Sequence, residues 1–247
     1  MTAHSLVIGL TGNIATGKST VLEYFARRGA FLIDADKLSH QSIAPDGPAY
    51  HAVIAEFGTG ILNPDKTINR KALGKIVFSN ADLLNKLEQI VHPAVFKMTL
   101  DLVETAPSSV IILEAVKLLE AGPMFSQCDE VWVVTARPEV QLKRLMELRG
   151  MDEATARQRM GMQSPQAAKI NQADRVIDNS GTLEELYAQL DEIWKQLEKA
   201  YPRRMARLNV GASVQVEQSV SDQGVGVGAD AANVDKAAGN GSEISHL

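Results

Sequence analysis

The sequence has a single cysteine, no excess of basic residues and no long apolar run, and each shortage excludes something. Cys128 alone can form neither an internal disulfide nor a multi-cysteine zinc site. It reads as a buried or incidental thiol. A net charge of −5 over 247 residues argues against a surface built to hold nucleic acid through its phosphates, while leaving room for a local basic pocket around a phosphorylated small molecule. No stretch approaches the length of a membrane span. Met1-Thr2-Ala3-His4-Ser5 has neither a basic nor a long apolar leader character. These shortages lead to the expectation of a cytoplasmic chain with no nucleic-acid or membrane partner, a monomer or weak homo-oligomer. The end of the chain is poor in a different way: after Leu208 there is no aromatic residue, and Gly, Ala, Ser, Gln and Val dominate. Such a segment cannot bury enough apolar surface to offset its ordering entropy. A disordered low-complexity tail is expected over 203–247, after one domain over 1–202.

What is present suffices for a core, at 45% hydrophobic and 22% charged residues. Leu6-Val7-Ile8-Gly9-Leu10 reads as a buried parallel strand ended by Thr11-Gly12. A helix follows over 18–28, stopped by Gly29, and Ala30-Phe31-Leu32-Ile33 makes a second strand. That is one βαβ unit in about thirty residues. Prolines and glycines divide 44–64 into short helices and turns. A mostly helical insert over about 62–105 follows, with Leu83, Leu87 and Ile90, then Val95, Met98 and Leu102, at helical spacing around an interruption at His92-Pro93. It is expected to add no strand to the sheet. Val110-Ile111-Ile112-Leu113, Glu130 to Val134 and Arg175 to Asp178 are further strands. Pro138 opens a helix that Gly150 closes, Asp152 caps a short helix through Met162, and Thr182 to Glu185 is a capping box for a C-terminal helix. That last helix carries Leu186, Leu190, Ile193, Trp194 and Leu197 on one face. Alternating strands and helices predict an α/β fold, a parallel sheet flanked by helices.

Gly12-Asn13-Ile14-Ala15-Thr16-Gly17-Lys18-Ser19 matches G-x-x-x-x-G-K-[ST], between a strand and a helix as a phosphate-binding loop requires. Glycines let successive backbone N–H groups turn toward phosphate oxygens, and the helix opening at Lys18 aims its positive end at the same charge. Lys18 is spaced to bridge β- and γ-phosphates, and the Ser19 hydroxyl to ligate Mg²⁺. Phosphoryl transfer needs a positioned acceptor and a group to deprotonate it. Asp34 and Asp36 end the second strand at the same sheet edge; for either one, helix capping and catalysis both fit the spacing. Arg144, Arg149, Arg157 and Arg159 cluster around the Gly150 turn, as a small lid over about 145–165 or as a solvated helix face.

In these motifs the chain resembles the dephospho-coenzyme A kinase family, a group of P-loop small-molecule kinases. The shared features run in family order from residue 5 to about 200. They are the loop through Thr20, Ile33-Asp34-Ala35-Asp36, Asn69-Arg70, His92-Pro93, Gln141-Leu142-Lys143-Arg144 and Val176-Ile177-Asp178-Asn179-Ser180-Gly181. The resemblance implies a P-loop kinase fold and ATP-dependent phosphorylation of the ribose 3′-hydroxyl of dephospho-CoA, with ATP as co-substrate and Mg²⁺ as cofactor. It implies Asp36 as the catalytic base, Gly12 to Thr20 as the nucleotide cradle, and Arg144 and Arg159 near the nucleotide phosphates. Asn69, Arg70 and His92 match the acceptor side. There are two departures. Asn13 and Ala15 replace loop glycines, which the loop tolerates where those positions keep φ angles open to side chains. The family's usual D-V-P-L-L becomes Glu114-Ala115-Val116-Lys117-Leu118-Leu119, so that Lys117 either supplies charge to the acceptor's phosphates or faces solvent. Glu114 becomes a candidate partner of Mg²⁺ through water.

The main rival is another P-loop kinase, of the nucleoside monophosphate type, which would share everything except the acceptor region. A GTP-binding switch is weaker. Its guanine-reading motif has a near match only in Asn85-Lys86-Leu87-Glu88, inside an amphipathic helix, and that match precedes Asp178-Asn179-Ser180-Gly181 in reversed order.

Overall fold

The fold is that of a computed structural model, which describes residues 5–116, 118, 125–206 and 208. Five parallel strands form one sheet in the order β2-β3-β1-β4-β5. They are β1 (Leu6–Gly12), β2 (Phe31–Asp34), β3 (Val110–Glu114), β4 (Glu130–Thr135) and β5 (Arg175–Asp178). β1 is buried along its whole length between β3 and β4.

Alternation along the strands divides the core in two, because successive side chains leave a strand on opposite faces. Val7, Ile33, Ile111, Leu113 and Val131 point to one face. They meet α2 (Ala35–Ser42), α3 (Tyr50–Phe57), α4 (Arg70–Val77) and α5 (Ala81–Thr105). Leu6, Ile8, Leu10, Ile112, Trp132, Val134 and Ile177 point to the other, against α1 (Lys18–Arg27) and α9 (Leu183–Ala200). The chain places β2 and β3 on one side of β1 and then crosses over to place β4 and β5 on the other, so the carboxyl end of β1 is the switch point where an open parallel sheet holds a ligand.

Local signals act as the sequence reads. Gly29 takes φ 88° and closes α1, with Gly29 N donating to Ala26 O and Ala30 N to Phe25 O. Thr182 and Glu185 exchange both bonds of the capping box. α6 (Pro138–Arg149) ends at Gly150 in the left-handed conformation, and Asp152 caps α7 (Glu153–Gly161). Between α7 and β5 lies a helix the sequence reading lacks, α8 (Gln166–Ile170). Its five residues are too few to display a period.

Two expectations are corrected. The helical insert is not interrupted at His92-Pro93, since α5 runs through Pro93 without a break. Pro93 withdraws one N–H from the ladder, but Leu87, Val91, Val95 and Thr99 form a buried stripe on both sides of it. Burying that stripe outweighs the roughly 3 kcal/mol that an internal proline costs. The ordered chain also continues past 203. Residues 202–205 form α10 (Pro202–Met205), with Met205 and Leu208 buried on the sheet and Arg204 paired with Asp129 at 2.8 Å. The rest of the expected tail, 209–247, lies outside the described residues. Among the described residues no helix is long and apolar enough to cross a membrane.

Candidate active site

Two glycines make the bend from β1 into α1. Gly12 has φ 156° and Gly17 φ 92°. A Cβ on Gly12 would stand 2.4 Å from the Val134 carbonyl oxygen, and one on Gly17 2.0 Å from Asn179 Nδ2. Space and backbone angle both demand glycine there. Ala15 corrects the expectation for the replaced glycines: Asn13 keeps an ordinary φ, but Ala15 sits at φ 58°. That conformation costs an L-residue about 1–2 kcal/mol. Ala15→Gly is therefore expected to stabilise the fold by roughly 0.5–1 kcal/mol once glycine's larger unfolded-state entropy is subtracted, or about 2 °C in Tm. A thermal melt with an unchanged or lower Tm would contradict this reading of Ala15.

The loop's carbonyls are turned outward and held. Arg144, on α6, donates from Nη1 to Ala15 O and Thr16 O at 3.3 Å each, and from Nη2 to Asn179 O at 2.9 Å. Asn179, which follows β5, donates from Nδ2 to Thr16 O at 2.8 Å. Lys18 Nζ donates to Gly12 O at 3.0 Å. With the carbonyls so engaged, the amides of Ala15, Gly17, Lys18 and Ser19 meet no acceptor among the described residues, and no side chain caps α1. A row of unmet donors at a helix start is an anion site. The Ile14 amide is an exception, donating to Gln163 Oε1 at 2.6 Å.

Two carboxylates, Glu114 and Asp36, act on Lys18 at this row. Register places Glu114 beside Asp34 at the ends of β3 and β2, and Glu114 Oε1 lies 3.8 Å from Lys18 Nζ. Burial holds the Lys18 ammonium below its ordinary pKa; Glu114 and Asp36 pull it back up, and Arg149 depresses it further. Burial likewise pushes the Glu114 carboxyl above its ordinary value of 4.5, against the pull of Lys18 and with the help of Asp34 and Asp36. A folded-state pKa above the unfolded one means that stability is greatest below 4.5 and declines as pH rises toward the raised value. Glu114→Gln is expected to abolish that decline. Melting curves between pH 4 and 7 should show it at least as stable as the parent at neutral pH; a clear loss of stability there would refute the sign.

Of the two aspartates, geometry makes one the helix cap. Asp34 is the cap, its Oδ1 accepting from Lys37 N at 2.9 Å. Asp36 stands in the first turn of α2, near enough to Lys18 and Glu114 to shift both. The four arginines also part company. Arg144 braces the loop, Arg157 pairs with Glu153 on a solvent face, and Arg149 acts on Lys18 through its charge. Arg159 is half-buried on α7 and makes no ion pair among the described residues.

On the acceptor side the expected residues are spread out. Asn69 caps α4, its Oδ1 accepting from Ala72 N at 3.0 Å. Arg70 follows, half-buried, with no ion pair among the described residues. His92 is exposed in the middle of α5 and has no hydrogen bond to the loop. Lys117 lies outside the described residues. Ser19 is exposed and Thr20 half-buried in the first turn of α1. The sequence reading gave no role to Asn179 or Gln163. Asn179 stood inside a recognised motif, whereas nothing local marks Gln163. An open pocket of ≈ 410 Å³ adjoins Asn179, lined by Arg137, Asp178, Ser180, Gly181, Glu185 and Gln189.

Comparison with known proteins turns this geometry into a family assignment. The dephospho-CoA kinase family model matches residues 6–185. The chain belongs to the dephospho-CoA kinase family. A dephospho-CoA kinase of Geobacter metallireducens is 45% identical over 80% of this chain and 100% of its own length. One of Streptomyces avermitilis is 41% identical over 78% and 94%. A crystal structure from Thermus thermophilus superposes with a TM-score of 0.68 at 27% identity, covering 78% of this chain and 98% of that one. The dephospho-CoA kinase of Campylobacter jejuni gives 0.59 at 25%, with the same coverage. Membership in this family fits a P-loop kinase fold with a parallel sheet between helical layers, as the topology has it.

Proposed function

We propose that the chain transfers the γ-phosphoryl group of ATP to the ribose 3′-hydroxyl of dephospho-CoA, giving coenzyme A and ADP. The observation that carries the reading is the set of unmet amides of Ala15, Gly17, Lys18 and Ser19 at the start of α1, with Asp36 close enough to act on Lys18. The amides and the helix end bind the β- and γ-phosphates. Lys18 leaves Gly12 O and Glu114 for the phosphate oxygens, where its charge offsets what develops in transfer. Asp36 accepts the proton of the attacking hydroxyl. Arg159, with no partner among the described residues, covers the transferred group from the lid.

Mg²⁺ is tested against the donors present. Among the described residues no three His, Cys, Asp or Glu side chains gather to hold a metal on their own. Mg²⁺ bound to a nucleotide needs only one or two protein groups besides phosphate oxygens and water. The exposed Ser19 hydroxyl at the loop's end suits that role, with Glu114 reaching through water, so the residues fit. When bound, the ion would neutralise phosphate charge. On the acceptor side Arg70 and His92 meet the phosphates of dephospho-CoA, Asn69 fixes the start of α4, and Lys117 supplies further charge.

A coupled assay for ADP with purified protein and Mg²⁺-ATP tests this. Release is expected with dephospho-CoA and little with AMP, adenosine or shikimate. Equal turnover of AMP would move the chain to the nucleoside monophosphate class.

A further inference from the structure

Residues 163–169 strap three parts of the site together. At one end Gln163 Oε1 accepts from Ile14 N at 2.6 Å, and Ser164 O accepts from Asn13 Nδ2 at 3.0 Å. In the middle Gln166 bonds both the amide and the carbonyl of Ala136, at 3.2 and 3.0 Å, just before the helix that carries Arg144. At the other end buried Lys169 donates to Val116 O at 3.1 Å, an oxygen also held by Thr11 Oγ1, at the turn after β3. The strap begins one residue past the C-cap of α7, so Gln163 lies one helical turn beyond Arg159.

Two details mark the loop end of the strap as more than packing. Ile14 is the one amide in the crown of the loop that a side chain satisfies among the described residues, while those of Ala15, Gly17, Lys18 and Ser19 stay unmet and that of Thr16 is held by Asn13 O. Asn13 keeps its bond to Ser164 although its Oδ1 is buried with no hydrogen-bond partner among the described residues. A buried orphan acceptor works against stability, so the contact is not explained by fold stability alone.

Resting on the phosphoryl-transfer reading above, we infer that Gln163 is a positioning residue: by accepting from the Ile14 amide it holds the phosphate-loop crown and the base of the Arg159 helix in one register. Loop amides and the lid arginine then address the same phosphoryl group. Small errors in such alignment are expensive, because rate depends on near-attack geometry.

Gln163→Ala and Gln163→Glu in the full chain test it, with kcat, Mg²⁺-ATP affinity by calorimetry, Tm, and exchange of the Ile14 amide proton by NMR. Gln163→Ala is expected to lower kcat ~10-fold or more while changing ATP affinity less than ~3-fold and leaving Tm nearly unmoved, with faster Ile14 exchange. Gln163→Glu keeps an acceptor and should restore both Ile14 protection and most of kcat, with ATP affinity weakened ~5-fold by the added negative charge. An unchanged kcat in the alanine variant overturns the inference, as does a kcat loss that merely follows a fall in Tm. If the parent protein fails to phosphorylate dephospho-CoA, the function reading fails by itself. Ile14 exchange still judges the tether then, and unchanged exchange in Gln163→Ala sinks it.

Discussion

Lys18→Met is expected to lower kcat/KM by on the order of 10³-fold, the range for removing a principal stabilising charge in a closed site. The same variant should be no less stable than the parent. Burial depresses the Lys18 pKa below 10.5, so the folded chain holds that proton less well than the unfolded one. Stability from this group rises as pH climbs from the depressed value to 10.5, and below the depressed value the full penalty of the buried charge is present. Methionine fills similar volume and carries no charge. A catalytic lysine thus separates activity from stability, whereas a structural one lowers both together. Calorimetric titration with Mg²⁺-ATP beside a thermal melt distinguishes them: wild-type affinity and turnover in Lys18→Met would remove the phosphate loop from the mechanism.

Asp36→Asn should lower kcat by ~10² or more, the range for losing a general base, with Mg²⁺-ATP binding nearly intact. The argument is one of division of labour between neighbours. Asp34 already caps α2 through Lys37 N, so the substitution at Asp36 leaves the cap in place. It removes an acidic group from the first turn, whose interaction with the helix dipole is worth about 0.3–1 kcal/mol. Its influence on both Lys18 and Glu114 places it on the loop side of α2. Asparagine retains the shape and loses the proton acceptor. Single-turnover kinetics with saturating ATP and dephospho-CoA measure the step directly, and unchanged turnover would pass the role of base to another group.

Much of this was legible in the chain itself. The βαβ unit, the loop, the glycine stop of α1, the capping box of α9 and the Gly150 end of α6 all depend on residues within a few positions of one another, and all appear. Elements whose logic is not local were misread or missed. Pro93 looks like an interruption because its local effect is to break a helix, and only the stripe buried on both sides of it reverses that. Ala15 shows nothing of its left-handed φ in its identity. The pairs that brace the loop are separated by 149 residues for Gln163 and 163 for Asn179, and a glutamine in a helix-to-helix turn carries no periodic or spacing signal.

By itself the sequence determined that a strand, an anion-binding turn and a helix follow one another, with a lysine and a hydroxyl at the helix start, because glycine backbone freedom and strand alternation are properties of short segments. Tertiary structure alone decided which aspartate caps α2, which loop amides stay unmet, and which arginine braces the loop. Those outcomes depend on what distant strands and the strap after α7 bring within hydrogen-bond reach, and a hydrogen bond is decided by fractions of an ångström that no local pattern encodes.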